Sequence, residues 1–228
     1  MTGENRHDWR NDMSYTSMVS DIIALLDNHG LNNAVLVGHS MGGKVAQATA
    51  LLHPHRVSGL VVLDIAPVTY TQDDGSWKAV QQIIHALHTI DLSTVQSKRD
   101  VDVALRKAGV EDPALRSFVM TNLDSAGSSS SSSRVTTMQW KINLQSIMDQ
   151  LDVLAGFDLP MGGGGVQYHG DTFIISGGAS RFIRHGHMET ISKFFPNHLL
   201  TTVRGVGHWV HAEAPDDTLA LLKRYLDR

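Results

Sequence analysis

One short segment limits this chain more than any other, because it places a serine between an apolar run and a helix. The run Ala34 to Val37 leads into GHSMGG, and an alanine-rich stretch follows and ends before Pro54. A sharp strand-to-helix turn there would expose the Ser40 hydroxyl, and flanking glycines would let the backbone pass without collision. The turn would also aim the Met41 N–H at a developing oxyanion. The segment therefore predicts Ser40 as a nucleophile, with an ordinary glycine-rich turn as the alternative.

A serine hydroxyl is a weak nucleophile near neutral pH, so it needs a histidine base and an acid that orients the base. His208 is the favoured base, because it follows the last predicted strand in a glycine-rich loop. The alternative interpretation is that His208 is an ordinary solvated histidine in a loop. Asp64 is the favoured acid, since it ends the buried strand LVVL at the carboxyl edge of the sheet, where active sites gather. Asp171 and Asp158 remain open as alternatives.

Apolar strands that alternate with helices predict an α/β fold with a mostly parallel sheet covered on both faces. The strand signal nearly vanishes between residues 68 and 157, which indicates a helical insert. The predicted division is therefore 1–67 and 158–228 for the sheet domain and 68–157 for the insert. Within the insert, the polar tract Ser125 to Ser133 is expected to be disordered. A second flexible loop is expected at Gly162 to Gly165.

Four segments in order, VGHSMGGKVA, LDIAPV, ISGGAS and VGHWVHAEAP, resemble landmarks of the abhydrolase-domain-11 esterases and their bacterial short-acyl esterase relatives. The resemblance implies an α/β-hydrolase fold with a helical cap insert. It implies Ser40 as nucleophile, Asp64 as acid and His208 as base. It further implies that Ser180 hydrogen-bonds near the histidine.

The same resemblance implies that this chain differs from the family at its N-terminus. Family members carry earlier strands and a loop that donates a second oxyanion N–H, and both are expected to be missing here. The strand Ala34 to Val37 would then be an unpaired apolar edge, which favours self-association. Weak catalysis is a further expectation.

Bulk properties exclude several classes of function. The net charge of −4 gives no electrostatic reason to expect nucleic acid as a partner. The chain has no cysteine, so disulfides and thiolate metal sites are excluded. Its apolar runs are too short to span a membrane, and a soluble protein without metal or cofactor is expected. The N-terminus lacks a secretory signal, which favours the cytoplasm, or the mitochondrion if a transit peptide lies in the missing segment.

These observations predict an esterase that cleaves small to medium acyl carboxylic esters through an acyl-enzyme, with a small-molecule ester as partner. The acyl pocket is expected to be lined by insert residues: Trp77, Ile83, Leu87 and Trp140. A helical core would explain those four residues equally well. The alternative function is a catalytically impaired or non-catalytic relative, such as a binding protein or a fragment.

Overall fold

Four parallel strands form the central sheet of the computed structural model, which describes residues 12–127, 136–159 and 165–227. Numbered along the chain and given in spatial order, they are β1 (Ala34–His39), β2 (Val57–Leu63), β5 (Thr172–Gly177) and β6 (His198–Val203). Every residue of β5 and all but one of β2 are buried, as expected for inner strands of a parallel sheet. The predicted α/β fold with a parallel sheet is confirmed.

Helices cover both faces of this sheet. Successive strand residues point to opposite sides, so one strand contributes to an apolar cluster on each face. Leu60 and Val62 of β2 join one apolar cluster, whereas Val61 and Leu63 join another. The first cluster includes residues of α1 (Tyr15–Asn28), α2 (Met41–Leu52) and α8 (Met188–Phe194); the second includes residues of α9 (Val210–Glu213) and α10 (Pro215–Leu226).

The insert between β2 and β5 has its own apolar cluster, which includes Leu105, Val119 and Leu144. Its elements are α3 (Gly75–Thr89), α4 (Lys98–Lys107), α5 (Pro113–Val119), β3 (Leu123–Gly127), β4 (Thr136–Trp140), α6 (Leu144–Asp149) and α7 (Leu151–Ala155). The antiparallel pair β3–β4 was not expected from the sequence. The predicted disordered tract is wrong at residues 125–127, which pair with β4, because a partner strand supplies hydrogen bonds that composition does not reveal. Residues 128–133 lie outside the described residues, as do 162–164 of the second predicted loop.

The edge of the sheet at β1 is exposed in the described part of the chain. Val35 is 38% and Val37 is 50% exposed, and the sheet pairs β1 with β2 alone among the described strands. Self-association through this edge stays a prediction. None of the described helices is both long and apolar enough to cross a membrane.

Candidate active site

The turn from β1 into α2 holds Ser40 in a conformation that non-glycine residues rarely adopt, with φ 54° and ψ −123°. A Cβ on Gly38 would lie 2.2 Å from the Gly42 carbonyl oxygen, so glycine is required there. A Cβ on Gly43 would lie 2.6 Å from Cγ2 of Ile65. Gly42 differs, since a Cβ there would meet no described atom within 4 Å. The steric reason for the flanking glycines therefore holds at Gly38 and not at Gly42.

The side chains of Ser40, His208 and Asp64 form a hydrogen-bonded chain. The His208 Nε2 atom lies 2.9 Å from Ser40 Oγ, and its Nδ1 atom lies 2.8 Å from Asp64 Oδ2. An ionised carboxylate can only accept, so Nδ1 carries the proton and Nε2 accepts from the Ser40 hydroxyl. We call this arrangement the Ser40–His208–Asp64 chain. It brings together the three residues that the sequence pointed to.

Asp64 is fully buried directly after β2, at the carboxyl edge of the sheet. Besides the His208 bond, its carboxylate accepts the Gly177 N–H at 2.9 Å and the Ser180 hydroxyl. Such bonds fix the carboxylate, because each of its oxygens has a partner. Asp171, the first alternative acid, precedes β5 at the opposite edge and makes no described contact with His208.

The end of β5 approaches the histidine loop very closely. A Cβ on Gly177 would lie 2.0 Å from the Gly207 carbonyl oxygen, so a side chain there would displace the residue next to His208. The Gly178 N–H also donates to the Val203 carbonyl at 2.8 Å, which ties the β5 and β6 loops together. Gly177, which ends β5, and Gly178, which follows it, therefore position His208 as well as Asp64.

His39 holds the backbone of the histidine loop, a role that the sequence gave no direct reason to assign. Its Nε2–H donates to the His208 carbonyl at 2.9 Å, and its ring centroid lies 4.6 Å from that of His208. Burial lowers the pKa of His39 to about 4, so the ring is neutral near pH 7. The residue before Ser40 thus binds the backbone of the residue that is hydrogen-bonded to the Ser40 hydroxyl.

A cavity of about 190 Å³ lies beside Ser40. Its lining includes Met41, Tyr70, Trp77 and Phe182. Met41 is also the first residue of α2, so its N–H lies at the helix N-terminus next to Ser40.

The four predicted pocket residues divide among three places. Trp77 lines the cavity beside Ser40. Ile83 lines a separate cleft beside His208. The structure does not bring Leu87 and Trp140 to either site, because both pack in the apolar cluster of the insert. Helical periodicity identified apolar side chains but not which of them face the sheet.

Lys44 is an unexpected part of the cavity wall, since a lysine on a helix is normally solvated. It is 2% exposed, and its Nζ donates to the carbonyls of Ala155 at 2.7 Å and Gly156 at 2.8 Å. Nζ also lies 4.7 Å from the ring centroid of Tyr70. Burial lowers the pKa of Lys44 to about 7. Lys44 therefore links α2 to the end of the insert at α7.

Tyr70 and Phe182 form part of the wall of the cavity beside Ser40. The Tyr70 hydroxyl donates to the Phe182 carbonyl at 2.6 Å and accepts the Ala66 N–H at 3.0 Å. The Phe182 ring centroid lies 4.0 Å from that of His208. Packing against Phe182 restricts the orientation of the imidazole. Among the described residues, no cluster of three His, Asp or Glu side chains could hold a metal.

Comparison with known proteins agrees with this geometry. Residues 2–215 match the family described as alpha/beta hydrolase fold. The chain belongs to this family. The resemblance to abhydrolase-domain-11 esterases is also confirmed, because the sequence is 33% identical over 217 residues to the mouse "sn-1-specific diacylglycerol lipase ABHD11". That match covers 94% of this chain and 66% of the relative.

Two further proteins extend the comparison. The Escherichia coli "Esterase YbfF" is 27% identical, over 94% of this chain and 76% of its own length. The solved structure described as "Marine microorganism esterase" is 28% identical with a TM-score of 0.86, over 97% of this chain and 80% of that one. The chain spans about two thirds of the length of the mouse relative and 63% of the zebrafish one.

Proposed function

We propose that this protein is a serine hydrolase that cleaves small to medium acyl carboxylic esters through an acyl-enzyme on Ser40. The Ser40–His208–Asp64 chain carries the proposal, with hydrogen bonds of 2.9 and 2.8 Å in the order that acyl transfer requires. The names of the relatives, esterase and lipase, support ester hydrolysis.

In the first half-reaction, Ser40 Oγ attacks the ester carbonyl carbon while its proton passes to His208 Nε2. Asp64 stabilises the imidazolium, because its carboxylate accepts the Nδ1–H. The same proton then passes from Nε2 to the leaving alkoxide, and the acyl group remains on Oγ. In the second half-reaction, His208 takes a proton from water and the water oxygen attacks the acyl carbon. The bond to Ser40 Oγ then breaks, the proton passes from His208 Nε2 to Oγ, and the acid is released.

The Met41 N–H is the proposed donor to the oxyanion. It begins α2, and it has no backbone or side-chain acceptor among the described residues. An N–H at a helix N-terminus is free to bind the negative oxygen as it forms, and it does so with the favourable end of the helix dipole.

The cavity beside Ser40 supports an acyl group of limited size. Its volume of about 190 Å³ is below the roughly 300–1,000 Å³ of pockets that enclose drug-sized ligands. Acetate and butyrate esters are therefore the first substrates to test.

The test is labelling with a fluorophosphonate probe together with hydrolysis of an acetate ester. Ser40→Ala should abolish labelling and lower kcat by several orders of magnitude, because the nucleophile is lost. Ser192→Ala, at an exposed serine of α8, is the matched control and should retain both activities. Labelling that persists in folded Ser40→Ala protein would exclude Ser40 as the nucleophile. An unlabelled wild-type protein would favour the non-catalytic alternative.

A further inference from the structure

Two separate cavities border the Ser40–His208–Asp64 chain. The first, of about 190 Å³, has Ser40 in its wall. The second, a cleft of about 510 Å³, has His208, Trp209 and Arg181 in its wall. Phe182 lines both cavities, and its ring lies against His208. Phe182 therefore stands between a space next to Ser40 and a space next to His208.

The proposed chemistry assigns one part of the ester to each space. The acyl carbon bonds to Ser40 Oγ, so the acyl chain occupies the cavity beside Ser40. The leaving oxygen takes its proton from His208 Nε2, so the leaving group must lie against His208. The cleft beside His208 is thus the space for the leaving group.

This cleft contains a cation that has no partner in the part of the chain that the structure describes. Arg181 is exposed and makes no hydrogen bond or ion pair with any described residue. Arg184, three residues later, differs because its guanidinium pairs with Asp74. The described lining of the cleft includes no carboxylate, so no negative side chain there offsets the charge of Arg181.

We infer that the cleft binds a leaving group that carries an anion, a phosphate or a carboxylate, and that Arg181 determines this specificity. This inference rests on the proposed function. A guanidinium suits both anions, because its N–H groups form two parallel hydrogen bonds to paired oxygens. Arg181 lines the cleft assigned to the leaving group and not the cavity beside Ser40, so the anion would be part of the alcohol and not of the acyl group.

The experiment compares acetyl esters that differ in the charge of the leaving group. The esters of para-hydroxybenzoate and para-hydroxybenzamide form one anionic and neutral pair; those of glycerol phosphate and glycerol form the other. The kcat/KM ratio of anionic to neutral ester is measured for each enzyme variant. Intrinsic reactivity cancels when the ratios are compared between variants.

Arg181→Gln should lower this ratio about tenfold, through loss of kcat/KM on the anionic ester, because a charge-assisted hydrogen bond is removed. Arg181→Lys should restore part of the ratio, since it keeps the charge. Arg224→Gln, at an exposed arginine of α10 outside the cleft, should leave it unchanged. The wild-type ratio should also fall in about 1 M salt, where the Debye length is about 3 Å. A larger change for the phosphate pair would identify phosphate as the preferred anion, and a larger change for the carboxylate pair would identify carboxylate.

Equal effects of Arg181→Gln on anionic and neutral esters would overturn the inference. So would a wild-type ratio that does not fall in about 1 M salt. In both cases, hydrolysis of the neutral esters that depends on Ser40 would leave the proposed function standing. A wild-type protein that hydrolyses none of the four esters would overturn both.

Discussion

The loops at the carboxyl edge of the sheet and the helical insert contribute to the site in different ways. Backbone geometry and hydrogen bonds hold Ser40, Asp64 and His208 in place. Ser40 and Asp64 have positive φ, and β5 approaches the histidine loop closely at Gly177. The insert contributes apolar side chains such as Trp77. Small changes in the loops should therefore affect the chemistry, whereas changes in the insert should affect which ester fits.

The largest effect is expected at the acid. Asp64→Asn should lower kcat by up to about 10⁴, because an amide in place of the carboxylate favours the wrong tautomer of the histidine. The free energy of unfolding should change less than the activation free energy does, since the Asn side-chain oxygen can still accept hydrogen bonds from its neighbours. The measurement is kcat for acetate ester hydrolysis, with circular dichroism to establish folding.

Asp171→Asn is the matched control for this prediction. Asp171 lies at the amino end of β5, and its backbone carbonyl, which the substitution retains, accepts from the Leu60 N–H and the Tyr225 hydroxyl. Its kcat should be close to the wild-type value. The opposite ranking of the two variants would place the acid on the β5 side of the sheet.

The second largest effect is expected at Lys44, a residue of α2 that hydrogen-bonds to the end of the insert. The pKa of Lys44 is about 7 in the folded chain and 10.5 for an ordinary lysine, so the unfolded chain binds more protons between these values. The free energy of unfolding should therefore rise with pH from about 7 to about 10.5, by on the order of a few kcal/mol. Below about pH 7, Lys44 is protonated in the folded chain as well, so the cost of burying its ammonium lowers the free energy of unfolding in full.

Denaturant unfolding at about pH 6 and about pH 9.5 measures this dependence. Lys44→Met should remove most of the rise, because the titrating group is lost while the aliphatic volume is kept. Lys193→Met, at an exposed lysine of α8, should leave the rise intact. Parallel pH profiles for wild type and Lys44→Met would show that the ammonium is stabilised in place by the Ala155 and Gly156 carbonyls.

The same division separates what the sequence could predict from what it could not. Ser40, Asp64 and His208 each follow a strand of the sheet, and a parallel sheet brings the carboxyl ends of its strands to one edge. Strand and turn patterns were therefore enough to place them. The nearby roles of His39 and Lys44 depend on distant backbone carbonyls, which no local pattern reveals.

The insert was harder to predict because many of its contacts are between its own elements. The pair β3–β4 depends on hydrogen bonds across a loop, and its first strand contains small polar residues of low strand propensity. Leu87 and Trp140 have the apolar character of pocket residues, yet they pack in the insert cluster. Periodicity shows that a helix face is buried and cannot show against what.

The smallest effect is expected at the wall of the cavity beside Ser40. Trp77 is 8% exposed and lines this cavity, so Trp77→Ala should enlarge it. A larger apolar space favours longer acyl chains, since each methylene in a pocket contributes about 1–3 kcal/mol. We expect the kcat/KM ratio of octanoate to acetate ester to rise about tenfold. Trp140→Ala removes the same side chain from the insert cluster and should lower stability without shifting this ratio. A shift of equal size in both variants would mean that the insert cluster, and not the cavity wall, controls acyl selection.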